Sequence, residues 1–142
     1  MDFGVLADFN PWWQRGAVPE NLLAARKRAF FGKLEESLSK RFITLLYGMR
    51  RVGKTTSFYQ LIGQILENKT EPRSILYFSF DERAAGISEV VLAFEEKVLK
   101  KRLIDSGKTY IFFDEIQKVE DWESKIKVLY DLHPNVKIFL SG

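Results

Sequence analysis

The chain has 142 residues, 46% of them hydrophobic and 29% charged, which suits one soluble-type domain with a real core. Its net charge of +3, from 22 basic and 19 acidic residues, is too mild to demand a nucleic-acid partner, although that partner stays open. With no cysteine and one histidine, disulfides, cysteine zinc sites and histidine metal clusters are excluded. No apolar run approaches the ~18 residues of a membrane span. No basic-then-apolar leader opens the chain, so a cytoplasmic protein without a membrane partner is expected.

Residues 1–18, with Pro11, adjacent Trp12 and Trp13, and two phenylalanines, read as an irregular aromatic arm. That composition is too aromatic for a disordered tail. The two tryptophans either anchor the arm to its own domain or stack on a base or partner. Residues 19–142 read as the main domain. From Pro19 to Lys40 the pattern is helical, with Phe31, Leu34 and Leu38 on one face. Residues 42–47, FITLLY, form a short apolar run that predicts a buried strand. Phe58, Leu61, Ile62, Ile65 and Leu66 mark an amphipathic helix. Residues 74–80 predict a second strand, ending at Asp81 and Glu82. A helix over 88–103 with Ser88 as N-cap follows. Residues 110–113 predict a third strand, ending at Asp114 and Glu115. A helix over 121–132 carries Trp122, Ile126 and Leu129 on one side. His133 precedes Pro134 and reads as a helix-boundary residue. Residues 136–140 predict the last strand.

Apolar strands alternating with helices predict an α/β domain with a mostly parallel sheet covered on both faces. Ligands of such sheets bind beyond the carboxyl ends of the strands. The residues at those ends are 48–55, 81–82, 114–115 and 141.

The stretch YGMRRVGKTT fits G-x-x-x-x-G-K-[ST] from Gly48 to Thr55. Gly48 allows a tight turn out of the strand. Gly53 lets the backbone approach phosphates with no side chain in the way. Amides from Met49, Arg50, Arg51 and Val52 through Thr56 line one concavity at a helix start. Lys54 supplies positive charge to the β- and γ-phosphates, and Thr55 offers a hydroxyl to Mg²⁺. The side chains of Arg50 and Arg51 are read as solvent- or partner-facing. Asp114, emerging from an apolar strand, is suited to hold Mg²⁺ through a coordinated water. Glu115 is suited to orient and deprotonate an attacking water. A water-activating glutamate does not serve a small-molecule kinase, so hydrolysis is favoured over transfer to a metabolite. Ser141 either meets the γ-phosphate or attacking water, or merely ends its strand. Asp81 and Glu82 either face the γ-phosphate side or cap theirs. The cofactors expected are ATP or ADP with Mg²⁺.

YGMRRVGKTT, ILYFSFDE, YIFFDEIQKVEDWESKIKVLYD and KIFLSG together resemble the archaeal AAA-like ATP-binding proteins, within the STAND and AAA-related P-loop ATPases. The resemblance covers about residues 10–142. It departs at Met49, where similar proteins often carry proline. It implies a P-loop NTPase three-layer sandwich with strand order 5-1-4-3-2, a small helical lid and an arginine supplied by a neighbouring copy in a homo-oligomer. On that pattern the fifth strand and lid would follow Gly142, so 19–142 is expected to be an ATPase core incomplete at its C-terminus. The strand over 42–47 would then be an exposed edge. The other reading is a nucleotide-dependent binding or scaffold module, in one form on DNA, with little or no hydrolysis.

Overall fold

A computed structural model describes residues 1–23, 26–48 and 53–142. Four strands form one all-parallel sheet in the order β1-β4-β3-β2: β1 Thr44–Leu46, β2 Ile75–Ser79, β3 Thr109–Asp114 and β4 Val136–Ser141. This is the 1-4-3-2 part of the order that the resemblance implies. The three longer strands are almost wholly buried. Their residues alternate between two covered faces, which is why they read as continuous apolar runs.

Among the described residues six α-helices accompany the sheet: α1 Phe3–Phe9, α2 Trp12–Arg15, α3 Phe31–Glu36, α4 Lys54–Glu67, α5 Ile87–Phe94 and α6 Trp122–Leu132. Phe58 of α4 meets Phe112 and Phe139 edge-on at 5.2 and 6.3 Å, and these two stack at 4.5 Å across β3 and β4. On the opposite face Leu140 shares a groove with Ile126 and Tyr130 of α6. Helices therefore cover both faces, giving the three layers expected. None of the described helices is long and apolar enough to cross a membrane.

Several expectations need correction. The segment 1–18 is not irregular: α1 starts at Asp2, whose side chain accepts from the Val5 amide, and α2 ends at Gly16 in the left-handed region. Trp12 and Trp13 are buried, so they anchor the arm and do not stack on a partner's base. Both indole N–H groups donate to the Ile75 carbonyl, at 3.2 and 2.7 Å. Asn10, also buried, accepts from the Tyr77 amide at 2.7 Å and donates to the Tyr77 carbonyl at 2.9 Å. The arm thus satisfies, by side chains, the outward backbone groups of the terminal strand β2.

The helix expected over 19–40 is broken into a 3₁₀ turn at Glu20–Leu22, α3, and a second turn at Ser37–Ser39, with residues 24 and 25 outside the described ones. Leu23 lies beside Gly63 of α4, while Phe31 and Leu34 are buried further along. One straight helix cannot place both sets on the core, so tertiary packing overrides propensity. The helix expected over 88–103 starts at Ile87 after Gly86, whose amide bonds to the Glu89 side chain; Ser88 is not its cap. It passes into a π-turn over Glu95–Leu99 and stops at Lys100 with φ 59°. The Glu95 carboxylate then accepts from the Leu103 amide at 2.6 Å. His133 does end α6, its ring nitrogen meeting the Leu129 carbonyl at 2.8 Å. The strand expected over 42–47 is short and half-exposed: Leu45 is 41% and Tyr47 85% exposed.

Lys137 of β4 is buried, which charge alone does not predict. Its Nζ donates to the Phe42 carbonyl and, at 2.9 Å, to Thr44 Oγ1, and lies over the rings of Phe42 and Phe139. Burial, then repulsion from Lys108 and Arg41, pushes this amine down to about 8. A folded-state value below the ordinary 10.5 means the charged form is penalised in the fold. The penalty is complete below pH 8 and relieved as pH rises toward 10.5. The stability of the parent relative to Lys137→Met is therefore expected to rise from pH 7 to pH 10. Thermal unfolding of both at the two pH values measures it; a gap that does not move with pH contradicts the assignment.

Candidate functional site

The segments just beyond β2 and β3 and the start of α4 surround an open cleft of about 700 Å³. Gly48 has φ 141° and Gly53 φ 78°, backbone conformations in which a side chain is strained. A Cβ at Gly53 would also lie 2.7 Å from Nε of Arg28. Glycine at this point thus serves a close approach as well as a turn. Lys54, Thr55 and Thr56 follow in the first turn of α4 and line the cleft. The residues Met49, Arg50, Arg51 and Val52, expected to supply cradle amides, lie outside the described residues.

Asp114, the last residue of β3, is 2% exposed and sits at the centre of a hydrogen-bond cluster. Thr55 Oγ1 donates to its Oδ2 at 2.5 Å. Tyr77 of β2 donates its phenolic proton to the same oxygen at 2.6 Å. Ser141, ending β4, donates to Oδ1. The parallel register brings these groups together: Ser79 pairs with Asp114 and Phe113 with Leu140, so β2, β3 and β4 end side by side. Burial and the Asp114 charge push the Tyr77 phenol far above its ordinary range, so it stays a donor at any physiological pH.

Glu115 follows with φ 55°, a left-handed conformation uncommon for a non-glycine residue, which turns the chain sharply off the strand. Its amide donates to Ser141 Oγ at 3.1 Å, and its carboxylate accepts from Gln117 Nε2 at 2.6 Å. Lys54 Nζ donates to the Gly142 carbonyl at 3.1 Å. Asp81 lines the cleft and pairs with Lys118 at 3.4 Å, whereas Glu82 is exposed and away from the lining.

The structure therefore brings together Gly53, Lys54, Thr55, Thr56, Asp114, Glu115 and Ser141. Sequence reasoning missed three neighbours: Tyr77, Gln117 and Arg28. Tyr77 lies inside an apolar strand and looks like core. Gln117 carries no charge to attract notice. Arg28 sits in a basic run, Arg26-Lys27-Arg28, outside any motif, yet it lies against Gly53. With Arg26, Lys27 and Gln60 it lines a second hollow of about 470 Å³ across Gly53 and Thr56.

Thr55 and Asp114 place a hydroxyl and a carboxylate in contact, a hard-oxygen pair suited to Mg²⁺ sharing its remaining positions with phosphate and water. The donor set thus fits the metal that the sequence implies.

A family model described as an AAA domain matches residues 40–142. The uncharacterized protein MJ1544 of Methanocaldococcus jannaschii is 34% identical over 127 residues, covering 88% of this chain and 26% of its own length. The uncharacterized protein MJ1637 of the same archaeon is 32% identical over 153 residues, covering 98% of this chain and 32% of its own. The chain thus spans about a quarter to a third of the curated relatives it matches. A family match running from just before β1 through the last strand, over the glycine turn and the Asp114 cluster alike, means that this chain belongs to the AAA domain family.

Proposed function

We propose that this chain is the Mg²⁺-dependent, ATP-binding and ATP-hydrolysing core of a STAND-like AAA ATPase acting in the cytoplasm. The observation that carries the reading is Asp114 held between Thr55 and Ser141, beside Lys54, where two strand ends meet a helix start. AAA family membership supports nucleotide binding as such.

In this reading Lys54 exchanges its carbonyl partner for the β- and γ-phosphates. Gly53 to Thr56 present amides at the start of α4, where the helix dipole favours negative charge. Thr55 and Asp114 hold Mg²⁺, which when bound neutralises charge on the phosphates. Glu115 takes a proton from the attacking water as its oxygen bonds to the γ-phosphorus and the bond to the β–γ bridging oxygen breaks. Ser141, already bonded to Asp114 and the Glu115 amide, fixes the spacing of the two carboxylates. A homo-oligomer would supply the arginine that stabilises transferring charge. Nucleic acid is a further partner to test.

A second reading is favoured by one contact. The Glu115 carboxylate is drawn to Gln117 through Oε2, so in this conformation its direction is set by that side chain. A module that binds nucleotide and hydrolyses little or none fits that arrangement. Binding of ATP and ADP with Mg²⁺ by calorimetry, beside phosphate release, separates the two. Binding with release supports the first, binding without release the second, and no binding overturns both.

A further inference from the structure

We propose that Tyr77 is a positioning residue for the divalent metal, holding the Asp114 carboxylate in place from the buried strand β2. The inference rests on the reading of Thr55 and Asp114 as the metal pair.

Asp114 Oδ2 accepts from two hydroxyls, Thr55 and Tyr77, while Oδ1 accepts from Ser141. Thr55 has one proton and two lone pairs, so it can ligate a cation and still donate to Oδ2. Its bond to Asp114 is then tied to the metal's own position, whereas the Tyr77 phenol holds Oδ2 from the buried strand β2 whether or not a metal is bound. Without it Oδ2 would keep only a donor that is itself a metal ligand. Partners of this outer kind set the orientation of a metal ligand and its affinity.

Tyr77 is built for such a task. Both its backbone polar groups are taken by Asn10, at 2.7 and 2.9 Å. Its ring packs 5.0 Å from Tyr59 and 6.4 Å from Phe9. Its hydroxyl donates to Asp114 from inside this aromatic packing. The residue is 2% exposed, so water does not substitute readily for it. A tyrosine needed only for packing would not require its hydroxyl to end on a carboxylate.

The test uses Tyr77→Phe, which keeps the ring, with a fluorescent ATP analogue that cannot be hydrolysed. The Mg²⁺ concentration giving half-maximal enhancement of analogue binding is expected to rise about tenfold or more. Analogue affinity in EDTA and the thermal midpoint are expected to stay near the parent's. An unchanged Mg²⁺ midpoint overturns the proposal. So does a parallel loss of EDTA affinity, which marks a general structural role. If the parent itself binds the analogue without any Mg²⁺ dependence, the metal reading of Asp114 fails and takes this inference with it. Should Tyr77→Phe not fold, the parent is labelled with fluorotyrosine at its five tyrosines and followed by ¹⁹F NMR. Four Tyr→Phe variants at the other positions identify the Tyr77 signal. With analogue present that signal is expected to shift on adding Mg²⁺; a signal that does not move overturns the proposal.

Discussion

Lys54→Ala is expected to remove nucleotide binding while leaving the fold intact. Lys54 sits at the first position of α4, partly exposed, and among the described residues its amine bonds the Gly142 carbonyl. Loss of that bond costs the fold about 1 kcal/mol or less, since Gly142 is partly exposed. Alanine is also the better helix former. On the nucleotide side the loss is larger. Two charge-assisted hydrogen bonds to phosphate, at about 1.5–3 kcal/mol each, correspond to roughly 10²–10⁴-fold in affinity. Calorimetry with ATP and Mg²⁺ measures this, with thermal unfolding as the control. Equal affinity in variant and parent would mean that the loop holds some other ligand.

Glu115→Gln separates binding from chemistry. The amide keeps the size of the side chain and an oxygen that still accepts from Gln117, so the turn at φ 55° and the Asp114 cluster are expected to persist. An amide cannot take a proton from water. Turnover is expected to fall by about 10²–10⁴-fold, the usual contribution of a positioned base, with ATP affinity near the parent's. Phosphate release and calorimetry on the same preparations test it. If variant and parent release phosphate at one rate, Glu115 is not the base.

How much of this was legible in the sequence differs from element to element. The strands were, because β2, β3 and β4 are buried on both faces and so run apolar throughout. The glycine turn was, because its two glycines answer local backbone demands. The cluster around Asp114 was legible only in part. Thr55 and Ser141 announce themselves by position at a helix start and a strand end. Tyr77 lies 37 residues before Asp114, and only the register of β2 against β3 brings them together. The arm was misread for a related reason. Helices of 7 and 4 residues are too short to stand alone and exist because Asn10, Trp12 and Trp13 tie them to β2. Propensity failed over 19–40, where packing of Leu23, Phe31 and Leu34 around α4 decides the path.

The N-terminal arm makes the sheet directional as a growing object. At β2 the side chains of Asn10, Trp12 and Trp13 act as a chain terminator, occupying the groups a further strand would need. At β1 no described element is paired on the outer side, and Leu45 and Tyr47 stand exposed there. A sheet with one dead end and one live end accepts a single addition. Whatever strand extends it therefore joins beside β1 and never beside β2.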